Sequence, residues 1–351
     1  MSDLPKVPRV KKAWYVLARS GEVQGNKPLR RRLWGSPVVM FRGSDGHVGA
    51  LVDRCPHRDI PLSFGDVVGN NVACGYHGWQ FDRTGECKRI PAFEGTAAHK
   101  TRCATAYPVR EQQDFIWVWA DPNTEPDCDP YWFEWADRPG YLTVRHEVSA
   151  EGSLHALAEN ALDVPHTAFL HRGLFRNDND RNPITCVLER HADKVVCEYI
   201  GEPRPPGFAA RLLSPSGGAV KHFDRFFMPC VVQVEYAIGD ENHILTHAAL
   251  TPIDDHETML FSVVCVRSSR IPKRLIRPLI QPLAMRIFQQ DAVVMALQKQ
   301  SYRDFGSQKY TSTEIDLLGP HILKLLNRAA RGQTGEADRR KPYRTEVRMM
   351  V

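Results

Sequence analysis

Cys55-Pro-His57 and, after sixteen further residues, Cys74-Gly-Tyr-His77 decide how the first third of this chain is read. Each offers a thiolate and an imidazole almost adjacent in sequence, a donor set that suits zinc or iron. Zinc sites commonly place two to four residues between the first two ligands, whereas a single residue separates Cys55 from His57. The surroundings of both stretches read as short strands and turns. Pro37-Val-Val-Met-Phe41, Gly43-Ser-Asp-Gly46 and Val48-Gly-Ala-Leu-Val52 make a hairpin, and Phe115-Ile-Trp-Val-Trp-Ala120 is a strand apolar almost throughout.

Asp121-Pro-Asn-Thr-Glu-Pro-Asp-Cys-Asp-Pro130 is rich in proline and acid and reads as a linker. The expected division is therefore a small all-β domain, residues 1–122, and a second domain, residues 123–351. In the second, Glu151–Asp163 has helical apolar spacing (Leu154, Leu157, Ala158, Ala161, Leu162) and stops before Pro165. Strand-like alternation follows in 194–200, 230–237 and 258–266. Residues 273–303 read as helix interrupted at Pro278 and Pro282, and 314–331 as a last helix before a polar tail. The fold class is α+β, with the second domain built on an antiparallel sheet.

Composition sets limits. At 351 residues the chain can bury two cores, and a net charge of +5 is no argument for nucleic acid. Nine scattered cysteines do not form a disulfide framework. Cys197, Cys230 and Cys265 fall inside apolar strands and read as core residues; Cys87 lies near the second loop without a role. No signal-peptide pattern opens the sequence, and no run of about eighteen apolar residues occurs. A reducing cytoplasm is the expected compartment.

A second constellation is Asn160-Ala-Leu-Asp163-Val-Pro-His166, with His171 five residues on. By spacing alone it could be two ordinary, partly buried histidines. Two imidazoles with one carboxylate would instead make a facial triad that leaves iron positions open.

Taken together, Arg54-Cys55-Pro56-His57-Arg58, Cys74-Gly75-Tyr76-His77-Gly78-Trp79-Gln80-Phe81-Asp82 and Glu159-Asn160-Ala-Leu-Asp163-Val-Pro-His166-Thr-Ala-Phe-Leu-His171 resemble the motifs of Rieske non-haem iron oxygenases. The resemblance covers nearly the whole chain and is nearest to the short α-subunits of the vanillate and dicamba O-demethylase type. Gly75 stands where many relatives carry proline. The resemblance implies a Rieske [2Fe–2S] cluster on Cys55, His57, Cys74 and His77, and a helix-grip-like catalytic domain with mononuclear Fe(II) on His166 and His171. The third iron ligand would come from Phe288-Gln-Gln-Asp291-Ala-Val-Val-Met-Ala-Leu-Gln298, the segment similar to the family's late helix, hence Asp291. Asp304, Glu314 and Asp316 are weaker candidates. Asp163 would link a Rieske histidine of a neighbouring subunit, by residue match His77, to an iron-ligand histidine, and Asn160 would stand beside the iron.

The implied unit is a homo-oligomer, usually a trimer, that uses O2 as co-substrate. Electrons would come from NAD(P)H through a separate reductase or ferredoxin, since no flavin or nicotinamide fingerprint is visible. The implied reaction hydroxylates a C–H bond of a small hydrophobic compound (aromatic, methylated, or sterol- or terpenoid-like), with demethylation where the carbon is an O- or N-methyl. A Rieske electron carrier and a zinc-stabilised binding module are the competing readings. Ser269–Phe288 mixes cations with large apolar residues; such a segment can rest on anionic lipid, but its three prolines spoil a continuous stripe and the outer face of a core helix is the simpler expectation.

Overall fold

The computed structural model describes residues 7–172, 181–203, 219–239, 242–269, 272–306, 310–333 and 341–351. It has two compact units. The smaller is Lys11–Trp132 with Thr251–Asp254; the larger is Met1–Val10, Phe133–Leu250 and Asp255–Val351.

The smaller unit holds β1 (Trp14–Arg19), β2 (Leu29–Leu33), β3 (Ser36–Arg42), β4 (Val48–Val52), β5 (Asp66–Val68) and β6 (Asn71–Ala73). It continues with β7 (Gln80–Phe81), β8 (Cys87–Arg89), β9 (Ala106–Tyr107), β10 (Val109–Gln112) and β11 (Phe115–Trp119). Three antiparallel sheets result, in the orders β1-β11-β10, β2-β3-β4-β9 and β5-β6-β7-β8. The expected hairpin is β3–β4, pairing Val38 with Val52 and Phe41 with Gly49. Every residue of β11 is buried, as a run without polar alternation requires. A core of Val39, Phe41, Leu51, Leu62, Val72 and Phe81 surrounds Cys55, Cys74 and Cys87. The segment 251–254 completes this unit: Trp34 and Gly35 donate to the carbonyls of Pro252 and Ile253 at 2.9 and 2.7 Å, and Thr251 Oγ1 donates to Val16 O.

In the larger unit an eight-stranded antiparallel sheet runs β12-β18-β17-β16-β15-β14-β13-β19. Its strands are β12 (Leu142–Glu151), β13 (Pro183–Arg190), β14 (Lys194–Ile200), β15 (Val220–Phe227), β16 (Val231–Ile238), β17 (Asn242–Pro252), β18 (Glu257–Ser268) and β19 (Tyr343–Met350). Helices α1 (Leu154–Ala161), α2 (Lys273–Phe305) and α3 (Leu318–Ala330) accompany it. Cys197, Cys230 and Cys265 are core residues of this unit.

Besides the last helix, which starts at Leu318 rather than at 314, three elements differ from the sequence expectation. The first helix starts only at Leu154, because Glu151 closes β12 and Ser153 Oγ caps the helix by accepting from Ala156 N at 3.2 Å. The tail expected to be merely polar is β19, paired with β13 from Pro183↔Met350 to Arg190↔Tyr343. Most striking against propensity, α2 runs unbroken through Pro278 and Pro282. Both prolines are exposed, so water can serve the carbonyls whose amide partners are missing.

Gly65 shows how tightly the second ligand loop is built. A Cβ there would lie 1.7 Å from the carbonyl oxygen of Ala73, the residue before Cys74. Backbone, not a flexible side chain, would have to move. Gly65→Ala should cost roughly 1–3 kcal/mol, seen as a lower melting temperature, with less visible absorbance per chain from a bound iron–sulfur cluster. Wild-type melting and absorbance would show that the loop yields freely.

Candidate metal centres

The two ligand loops of the smaller unit share one backbone design. Cys55 N donates to Ile60 O at 2.8 Å and Cys74 N to Trp79 O at 2.8 Å; the carbonyls of Cys55 and Cys74 accept from Asp59 N at 3.0 Å and Gly78 N at 2.9 Å. In each loop the fourth residue after the cysteine is left-handed, Asp59 at φ 60° and Gly78 at φ 70°, conformations that Asp and Gly tolerate best. Asp53, fully buried in its side chain, steadies the first loop. It accepts from Ser63 N and Oγ at 2.7 Å each and pairs with Arg30 Nε at 3.0 Å.

The donor atoms suit an iron–sulfur cluster. Both cysteines are buried, 1% and 3% exposed. Burial pushes the Cys55 thiol up to about 11, with neighbouring Cys74 adding to the effect and the amides of His57 and Arg58 opposing it. Thiolates so enclosed need a bound cation to stabilise them. His57 Nδ1 is buried with no hydrogen-bond partner, an orphan that a metal would satisfy. Burial, then the charges of His77 and Arg58, holds that imidazole below the usual histidine range, the neutral form a ligand needs.

The His57 and His77 rings lie 4.5 Å apart. Trp79 stacks on His57 at 4.6 Å and 6°, a clamp between the two loops that the spacing of ligands gave no hint of. Gly75 also has a local cause. A Cβ there would sit 2.8 Å from Phe64 O and 2.9 Å from Phe64 Cδ1, so a proline ring would have no room while Phe64 stays.

In the larger unit α1 and the turn after it bring Asn160, Asp163, His166 and His171 to α2. Asp163 Oδ2 accepts from His166 N at 3.1 Å and lies 3.2 Å from His166 Nδ1. Gln290 Oε1 lies 2.9 Å from His171 Nδ1. Each imidazole therefore keeps its proton on Nδ1 and turns the Nε2 lone pair inward. The two Nε2 atoms are 3.2 Å apart, and Asp291 Oδ1 lies 3.6 Å from that of His166 and 3.2 Å from that of His171. Neighbouring ligands around an octahedral ion with bonds of ~2.1 Å are about 3.0 Å apart, so the triangle fits one face of such a site. Among the described residues His166, His171 and Asp291 are the cluster able to hold a metal ion.

Burial would lower the His166 pKa, but Asp163 and Asp291 outweigh it and raise it to about 9. Those carboxylates favour positive charge at the triangle, and a metal ion would replace the proton. Asn160 Nδ2 donates to Asp291 Oδ1 at 3.4 Å, which orients the carboxylate. The weaker carboxylates are engaged elsewhere or open. Asp304 accepts from Gln300 at 2.7 Å, Asp316 from Thr313 N at 2.5 Å, and Glu314 is exposed. His155 is buried and bonded to Gly319 O at 2.8 Å, where it ties α1 to α3.

Gln290 escaped the sequence reading. It precedes Asp291, and adjacent helical residues do not share a face; only the reach of its side chain brings it to His171. Gln290→Leu should weaken ferrous iron binding 10–100-fold, measured by metal titration, while the absorbance of a cluster in the other unit is unchanged. Unaltered iron affinity would mean that His171 needs no such partner.

Residues 13–104 match the family model of the Rieske [2Fe–2S] domain, and residues 151–332 that of the vanillate O-demethylase oxygenase C-terminal domain. The chain is 32% identical over 238 residues to protein TIC 55, chloroplastic, of Pisum sativum, covering 67% of this chain and 41% of that protein. It is 35% identical over 175 residues to the dicamba O-demethylase oxygenase component of Stenotrophomonas maltophilia, covering 48% of this chain and 50% of that one. The chain thus spans half or less of the length of these two curated relatives. A crystal structure of dicamba monooxygenase bound to dicamba has the same fold, with a TM-score of 0.77 at 24% identity over 93% of this chain and 98% of that one. With its Rieske domain and its vanillate-demethylase-type C-terminal domain, the chain belongs to the Rieske non-haem iron oxygenases of the vanillate and dicamba O-demethylase kind.

Proposed function

We propose that this chain is the oxygenase component of a multicomponent system that takes electrons from a separate reductase or ferredoxin. With O2 it monooxygenates a C–H bond of a small hydrophobic substrate, by hydroxylation or oxidative demethylation. The observation that carries this reading is the presence in one chain of both donor sets: Cys55, His57, Cys74 and His77 for the cluster, and the His166–His171–Asp291 triangle for mononuclear iron. When bound, the cluster supplies single electrons and the iron supplies oxygen activation.

The protein's own side chains do the rest. Asp163 and Gln290 fix which nitrogen of each histidine carries a proton; Asn160 turns Asp291 inward. A third of the Asp163 side chain is open to solvent, and among the described residues its bonds run through Oδ2. His77 is exposed at the tip of its loop. We assign these two residues to the electron path between subunits, His77 of one copy donating to Asp163 of the next in a homo-oligomer, as the trimeric family arrangement implies.

Iron content separates this reading from its rivals. An oxygenase holds about three irons per chain and a Rieske carrier about two; a zinc module holds no acid-labile sulfide. Asp291→Ala should lose one iron and keep the Rieske absorbance and EPR signal, and an unchanged count would exclude Asp291 as a ligand. Asp163→Asn should retain both metals yet slow product formation at least tenfold. Full turnover in that variant would remove the bridge.

A further inference from the structure

One carboxyl of α1 has no part in either metal centre. Glu159 stands four residues ahead of Asp163, at the joint between α1 and α3. Its Oε1 rests against Gly319, where a Cβ would lie only 1.9 Å from it. The titratable groups that face it are Asp163 just beyond α1, Asp316 just ahead of α3 and Tyr302 on α2. No cation among the described residues is set against it. A carboxylate hemmed in by other carboxylates and partly withdrawn from water takes up a proton. Burial, then Asp316 and Asp163, raise the Glu159 carboxyl to about 7.

The α2 side offers protons a way in. Tyr302 follows Asp291, Met295 and Gln298 along one face of α2. With Ser153, His256, Gln298 and Lys299 it lines a cavity of about 20 Å³, enough space for a water molecule. The Tyr302 hydroxyl is buried without a hydrogen-bond partner, and native folds leave few such atoms unless water or function uses them. Burial and the nearby Glu159 push the phenol up to about 12, so it stays protonated and can only exchange protons. Lys299 is taken up by Glu151 at 3.3 Å.

The oxygenase reading is the premise here. Placing one oxygen atom in a C–H bond and releasing the other as water consumes O2, two electrons and two protons. The reductase supplies the electrons, whereas the protons must cross the protein from solvent. We propose that Glu159 is the proton store for this chemistry, a neutral carboxylic acid that releases its proton toward the iron triangle and is refilled through Tyr302 from water in the cavity.

Two measurements on the metal-loaded, full-length protein test this. In the infrared spectrum the carbonyl stretch of a protonated carboxylic acid should be present at neutral pH, fade as the pH rises, and weaken in Glu159→Gln. No such band in wild type, or an unchanged band in the variant, would overturn the proposal. In stopped flow, dithionite-reduced protein is mixed with O2 and the returning cluster absorbance is followed, with Asp291→Ala giving the part that does not need the iron. Glu159→Gln should keep both metals yet slow the iron-dependent part about 100-fold. Tyr302→Phe should slow it less and raise its solvent deuterium isotope effect; a merely structural hydroxyl with no partner would change neither. Wild-type rates in both variants, or loss of iron from Glu159→Gln, would overturn the proposal alone. Asp291→Ala reoxidising as fast as wild type would overturn the oxygenase reading and this proposal with it.

Discussion

Two imidazole nitrogens held 3.2 Å apart with their lone pairs converging form the constraint on which the larger unit turns. Lone pairs at that distance repel unless a cation lies between them. The arrangement persists because each ring is gripped from behind, one by Asp163 and the other by Gln290, and because Asp291 closes the triangle with negative charge. The grips come from distant parts of the chain, Gln290 lying 119 residues beyond His171. Only a rigid frame of sheet and helices can keep them in register. The same logic applies to the cluster loops, where the orphaned, buried His57 Nδ1 is a polar atom that a bound metal would satisfy.

Legibility in the sequence followed distance along it. Cys55 with His57, and Cys74 with His77, are each one short turn, so ligand spacing and the flanking hairpin could be read together. His166 and His171 were visible as a pair, but their meaning came from the accompanying motifs, and Asp291 was reached through likeness rather than through any local signal. The hydrogen bonds from Asn160 to Asp291 and from His171 to Gln290 exist only once α1 and the turn after it meet α2. Two failures have a clear physical cause. Tyr343–Met350 alternates charged and uncharged residues over most of its length, as an edge strand with one wet face should, yet its high charge made it look like a tail. Pro278 and Pro282 looked like breaks because the cost of a lost amide is judged for a buried helix, and here both are exposed.

Local departures from a family pattern are informative when a steric partner can be named. Gly75 is where the carbonyl and ring of Phe64 leave no space for a larger residue, so a side chain at 75 requires the backbone at 64 to shift. Asp59 and Gly78 perform the same left-handed turn in the two loops with different freedom. Gly78 is confined by Pro91, 2.9 Å from where a Cβ would stand, whereas Asp59 carries a side chain that pairs with Arg54 at 2.7 Å.

The four residues 251–254 give the cluster-bearing unit a history as well as a shape. As the chain emerges during synthesis, Trp34, Gly35 and Val16 wait for more than two hundred residues before Pro252, Ile253 and Thr251 arrive to bond with them. A fragment cut anywhere in the acidic stretch after Trp119 would leave those places unfilled. The smaller unit is thus complete only after strands β12 to β16 of the larger unit's sheet have been made.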